Sequence, residues 1–293
     1  MNQTLDKTRP APRPRPRLLK RSLGWYIAFA LCVLLAIGLL IPLYWMIIGS
    51  LKVQRIAIAY PPQWIPLTPT LENWQNLFGD KPSFRWMFNS FVVASCIGLG
   101  AVTTSVMAGY AFSKKVFPGR EILFWAFLLT MMVPRQAFMI PMFILMRNLK
   151  WFDTYQAMIV PFLAYPFGIF LMRQYMRSIP DELLQAATVD GASELQLFWH
   201  VVVPLSRPAI GAVSIFAFMA GWNDYLWQLV VTNSEKMMTL PVGVSKLAAS
   251  GVGTTDLGLS MAGATFAFIP MFIIFMVFQN YFIKGITVGS LKG

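Results

Sequence analysis

The sequence predicts an all-α integral membrane protein with six transmembrane helices and both termini in the cytoplasm. Three observations carry this: too little charge for a soluble body, six apolar runs of spanning length, and an uneven distribution of Lys and Arg. Of 293 residues, 57% are hydrophobic and 12% charged, where a soluble domain averages about 25% charged. A mean hydropathy of +0.59 agrees.

The apolar runs of about 20 residues are Tyr26–Ile48, Met87–Phe112, Ile122–Met146, Tyr155–Met172, Ala209–Val231 and Met261–Ile283. Prolines fall inside several of them (Pro42, Pro134, Pro141, Pro161, Pro166, Pro270). Membrane helices tolerate them because neighbouring helices satisfy the freed carbonyls. The third run is the least regular, broken near its middle by Pro134, Arg135 and Gln136. Small residues recur at packing spacing, Ala94 with Gly98 and Ser105 with Gly109, which suits close helix–helix approach.

If the N-terminus lies inside, the inward segments hold fifteen Lys and Arg and the outward ones eight, with Arg135 inside a run. Basic residues accumulate on the cytoplasmic side, so both termini of a multi-pass membrane protein are expected there. The expected organisation is a basic Pro-rich tail at 1–24, a first helix and external segment at 25–85, a five-helix core at 86–283 carrying a loop at 178–208, and a cytoplasmic C-terminal tail at 284–293. Seven of the 24 basic residues sit in the N-terminal tail, where an extended segment near anionic lipid is expected. The tail lacks the interleaved aromatics of a nucleic-acid arm, so no nucleic-acid partner is expected. A single histidine, His200, and two cysteines inside apolar runs, Cys32 and Cys96, leave no His-based metal cluster or triad to build from this chain.

The loop between the fourth and fifth runs reads as two short helices meeting at a corner. Asp181 and Glu182 place negative charge at the positive end of the first helix dipole. Asp190-Gly191 ends it, since glycine tolerates the left-handed conformation of a helix stop. Ser193 with Gln196 three residues on has the form of a capping box. Leu183, Leu184 and Ala187 share a face of the first helix, and Ala186-Ala187 offers a flat surface. Pro204 and Pro208 turn the chain back toward the membrane.

Gln185-Ala186-Ala187, then three residues and Gly191-Ala192, resembles the EAA signature of binding-protein-dependent ABC importer permeases. The similarity extends to Pro166-Phe-Gly-Ile-Phe-Leu-Met-Arg-Gln, Trp222-Asn223-Asp224-Tyr-Leu-Trp-Gln-Leu, Met261-Ala-Gly-Ala and the segment from Tyr281 to Gly293. It covers nearly everything from residue 25 onward and points to the smaller permease of the carbohydrate-uptake branch. The resemblance implies the type I importer fold in a bacterial cytoplasmic (inner) membrane, a second homologous permease, two ATPase subunits and an external solute-binding protein. It makes this chain a translocation subunit and not an enzyme, with no cofactor of its own and with ATP and Mg bound by the ATPase; the chain has no G-x-x-x-x-G-K-[ST]. Glu182, Gln185, Ala186, Ala187, Asp190, Gly191 and Ala192 become the ATPase-coupling surface, and Gly285, Gly289, Lys292 and Gly293 an ATPase-contacting tail. The family's usual glutamate is Gln185 here. A buried charged hydrogen bond contributes about 1.5–3 kcal/mol, so docking is expected to shift toward Glu182 and Asp190, and Ala187→Asp is expected to uncouple transport.

Ionisable groups at membrane depth are costly and mark candidate substrate paths. Arg135 and Gln136 sit at the break in the third run, and Trp222, Asn223 and Asp224 in the fifth. The same residues would also serve as interhelical polar contacts or, for Asn223-Asp224, as an external helix end. The family more usually has a small residue or proline at the position of Arg135. A cation there favours an anionic glycan, such as an oligouronate of the alginate type. The alternatives are a secondary transporter or channel acting without an ATPase, and a membrane enzyme. The first needs an ion relay for which only Asp224 and Arg135 are available, and the second needs paired carboxylates or metal ligands.

Overall fold

The structure is a computed structural model and describes residues 23–53, 61–249 and 257–287, the last eight through their backbone alone. The described residues hold helices and no strand. The first helix, α1 (Leu23–Ser50), runs through Pro42. At 28 residues it measures about 42 Å, enough to cross a bilayer. Residues up to Trp45 form one compact unit and Met46–Gly293 the other. Between Leu23 and Trp45 no residue is buried, and the helix is apolar all round, as a lipid-bathed span is.

The second unit contains α2 (Glu72–Gly79), α3 (Ser83–Lys114), α4 (Arg120–Met132), α5 (Met139–Asn148), α6 (Tyr155–Ile159), α7 (Pro166–Arg177), α8 (Asp181–Val189), α9 (Glu194–Leu205), α10 (Arg207–Trp222), α11 (Leu226–Val231), α12 (Leu240–Ala249) and α13 (Leu257–Thr287). Four stretches are long and apolar enough to span: α1, α3, Tyr155–Arg177 and Leu257–Gln279. The third run does break at Pro134. There α4 and a second segment, Arg135–Asn148, meet at 96°, with a 3-10 turn over Arg135–Phe138. The fifth run differs from its expected bounds. Its helix α10 stops at Trp222, three residues intervene, and α11 resumes at Leu226. The last helix passes Ile283 to Thr287, so the expected tail begins as helix. The apolar helix α12 was not foreseen. Ten residues are too few to cross a bilayer, and it packs with Leu240 and Val242 fully buried.

α3 is the axis of this unit, packed chiefly against α10 and α7. Small residues set the spacing. A Cβ on Gly109 would lie 2.5 Å from Met172 of α7, and one on Gly221 of α10 would lie 3.0 Å from the Ala94 backbone. The far end of α3 is fastened by side-chain hydrogen bonds. Asn89 donates to the carbonyls of Lys236 and Met238, both at 2.8 Å, and accepts from the Tyr155 hydroxyl at 2.6 Å. Ser90 Oγ accepts the Leu240 N–H. Buried polar atoms must find partners of this kind, and these hold the segment around α12 against α3.

Candidate functional site: a charged cavity and a two-helix loop

The two helix breaks meet. Pro134 lacks an N–H and disfavours helix in the residue before it, so α4 ends and Arg135 lies at the bend. Asp224 lies in the break between α10 and α11. Both line a cavity of about 310 Å³ walled by Phe162, Tyr165, Phe167, Ile97 and Gly221. They also line a second cavity of about 120 Å³ reached by Gln136, Leu226 and Trp227. The Arg135 guanidinium stands 4.0 Å from Asp224 Oδ2, with side-chain exposures of 60% and 11%. The same guanidinium lies 4.4 Å from the Phe162 ring centroid, a cation–π contact. Gln228, fully buried, donates to Asp224 at 3.3 Å and to the Met158 carbonyl at 3.4 Å. Its Oε1 has no hydrogen-bond partner among the described residues.

A buried carboxylate is costly without compensation, and Arg135 supplies it while leaving most of its own surface free. Such a site can stack sugar rings on aromatic walls and present a cation to an acidic group. Trp222 lies elsewhere. It is 2% exposed and packs with Trp86, Ala94 and Leu240 in the core. Asn223 is exposed and caps α10, its N–H reaching the Met219 carbonyl at 3.0 Å.

The loop has the two-helix form. Gly191 takes φ +84°, its N–H reaches the Thr188 carbonyl and that of Ala192 the Ala187 carbonyl, both at 3.0 Å. This is the pairing that closes a helix with a left-handed glycine. Ser193 and Gln196 form the reciprocal capping box. Pro204 cannot donate to the preceding turn; Leu197–Val202 widens to a π-helix, and the chain bends by 77° between α9 and α10. Glu182, Gln185, Ala186 and Asp190 are exposed. Ala187 and Leu184 are half-buried, and Leu184 packs on the cluster around Met172 and Met176. The exposed apolar residues are Leu183, Ala186 and Val189 on α8 and Leu195 and Trp199 on α9, among the exposed polar Glu182, Gln185 and Asp190. Gly285 lies in α13, whereas Gly289, Lys292 and Gly293 fall outside the described residues.

Sequence reasoning missed the anchors of this loop. Lys114 donates to Asp181 Oδ1 and to the Ile179 carbonyl, both at 2.6 Å. Lys115 pairs with Glu194, which also accepts the Tyr110 hydroxyl. Glu194 is the first residue of α9, ahead of the apolar run that begins at Ala209. The Lys115 hydrogen bond first, and the Tyr110 hydroxyl second, hold its carboxyl below the usual carboxylate range. Arg173 of α7, 5% exposed, donates to both oxygens of Glu121 at 2.6 and 2.8 Å and to the Phe112 carbonyl at 3.2 Å. In the sequence these were only basic residues flanking apolar runs, and nothing local named their partners.

Residues 100–288 match the family described as binding-protein-dependent transport system inner membrane component. The chain belongs to that family. It is similar to the arabinooligosaccharides transport system permease protein AraQ of Bacillus subtilis (strain 168), 36% identical over 264 residues, 89% of this chain and 93% of that one. It is also similar to the sn-glycerol-3-phosphate transport system permease protein UgpE of Shigella flexneri serotype 5b (strain 8401), 34% identical over 255 residues, 85% and 91% of the two chains. A chain in the crystal structure of a bacterial ABC transporter involved in the import of the acidic polysaccharide alginate superposes with a TM-score of 0.77 at 25% identity, over 89% of this chain and 99% of that one. The permease is thus a multi-pass membrane subunit of an ABC importer with the type I fold. In this family ATP is hydrolysed by a separate subunit.

Proposed function

We propose that this permease, with both termini in the cytoplasm of a bacterial inner membrane, moves an acidic oligosaccharide from a solute-binding protein through a pore shared with a second permease. Two ATPase subunits, binding ATP and Mg, receive the loop at 178–208. The observation that carries the reading is the loop itself. Two helices locked by Gly191 and the capping box display Leu183, Val189, Leu195 and Trp199 to the outside, a surface that lipid cannot cover if the loop is cytoplasmic. Apolar patches with a polar rim mark protein interfaces.

The acidic cargo is supported by Arg135, more than half exposed in a cavity with aromatic walls. Of the similar transporters above, one is named for glycerol 3-phosphate and one carries an acidic polysaccharide. The test is ATP hydrolysis by the reconstituted transporter with its binding protein, screened against oligouronates and neutral arabino-oligosaccharides of equal length. Stimulation by oligouronates is expected. Stimulation by the neutral sugars alone would overturn the cargo assignment.

A further inference from the structure

Two adjacent lysines, the last residue of α3 and its C-cap, each hold a different helix of the loop. Lys114 closes the helix and Lys115 is its cap, with extended backbone at φ -105° and ψ 148°, so the two side chains leave the end of α3 from different backbone conformations and reach different partners. Lys114 takes the start of α8 through Asp181 and the Ile179 carbonyl. Lys115 takes the start of α9 through Glu194, with Tyr110 one turn back on the same carboxylate and the Lys115 ammonium 5.2 Å from the Tyr110 ring centroid. The two contacts lie on either side of Gly191. A loop gripped on one helix alone could flex at that glycine; gripped on both, it moves with α3. The Lys114 side chain is 6% exposed, and a charge so buried is kept only where it is paired and hydrogen-bonded.

α3 continues from this grip to the cavity. Its 32 residues make a strut about 48 Å long, with Ile97 in the cavity wall and Ala94 against Gly221. Beside the grip, Arg173 joins the Phe112 carbonyl of α3 to Glu121 of α4, and α4 leads to the bend at Arg135. We propose that Lys114 and Lys115 are positioning residues that clamp both loop helices to α3, so that movement of the loop reaches the cavity wall along that helix. The proposal rests on the reading of the loop as the ATPase-docking element. A chain of packed groups becomes a coupling route only when its disruption breaks the coupling, which sets the form of the test.

The experiment uses the whole transporter in membranes, with Cys32→Ser and Cys96→Ser and a single reporter in this chain, Ala220→Cys, since Ala220 also lines the larger cavity beside Gly221. Maleimide labelling is timed without nucleotide and with ATP plus vanadate, a readout that needs no cargo. The parent is expected to change its labelling rate about tenfold, within the usual range of coupling between sites. Lys115→Glu and Glu194→Lys should each reduce that change to less than about twofold while the ATPase stays bound and hydrolyses ATP. The exchange Lys115→Glu with Glu194→Lys should restore it.

Single variants that respond like the parent overturn the clamp, as does an exchanged pair that assembles yet stays silent. If reversed charges prevent assembly, the exchanged pair must recover both assembly and response, and failure to do so also overturns it. Tyr110→Phe, which removes one hydroxyl, should lower the response by about threefold; no change there would count against the clamp. Ala186→Asp separates the two ideas. If it retains the ATPase and the response, the docking reading fails. If it loses them while Lys115→Glu and Glu194→Lys respond normally, only the clamp fails.

Discussion

The loop and the cavity are built in opposite ways. In the loop, helices are finished: Gly191 closes one, a capping box opens the next, and Asp181 and Glu194 are paired with lysines. In the cavity, helices are interrupted, one at Pro134 and one between Trp222 and Leu226. Beside the interruptions lie an ion pair at 4.0 Å and a buried Gln228 amide oxygen without a partner among the described residues, whereas the one such atom in the loop, Ser206 Oγ, lies past both of its helices. Satisfied polar networks rigidify a structure and partly satisfied ones leave room for rearrangement. The contrast suits a loop that is gripped and a cavity that must change shape.

Breaking the docking surface should have the largest effect. Ala186→Asp places a charge at the centre of the exposed α8 face, and an unpaired charge buried at an interface costs about 3–5 kcal/mol. Uptake should fall at least about a hundredfold with the protein still in the membrane, measured by transport and by co-purification of the ATPase. Ala186 sharpens the test first framed on Ala187. Ala187 is half-buried against this chain, so its substitution would also disturb the loop's own packing. Next is the joint between α7, α3 and α4. Arg173→Met should lower stability by about 2 kcal/mol, the contribution of a lost charged hydrogen bond, seen as a lower unfolding midpoint in detergent.

The cavity should respond more selectively. Arg135→Met is expected to cut oligouronate uptake about tenfold, near 1.4 kcal/mol, and to leave neutral oligosaccharides unchanged if any are carried. Equal loss for both would make Arg135 structural. The smallest expected effect is on pH. Because the folded-state pKa of Glu194 is lowered by Lys115 and Tyr110, its anchorage is present above the unfolded value of about 4.3 and is lost as pH falls through the folded one. The stability gap between wild type and Glu194→Gln should hold from pH 8 to about 5 and close in stronger acid, followed by thermal unfolding across pH.

Much of this was readable in the chain. Run length reports on lipid and a proline followed by two polar residues reports on a helix break, so the apolar helices and the break at Pro134 stood out. Gly191 and the Ser193–Gln196 pair act over three or four residues and were equally legible. What escaped was long-range pairing. Arg173 with Glu121, and Asn89 with the Lys236 and Met238 carbonyls, join residues 52 and about 150 positions apart, and no local pattern encodes them. Trp222 misled for a related reason: an aromatic beside a polar pair looks the same whether it faces a cavity or, as here, a core. The helix α12 was hidden because an apolar stretch of ten residues falls below the length that signals a span.

The most direct test of the central claim is uptake of a labelled oligouronate into proteoliposomes holding the full transporter, with binding protein outside and ATP inside. The account predicts uptake that requires both and ignores collapse of the ion gradients. Uptake by the permease alone, abolished by an ionophore and indifferent to ATP, would contradict it.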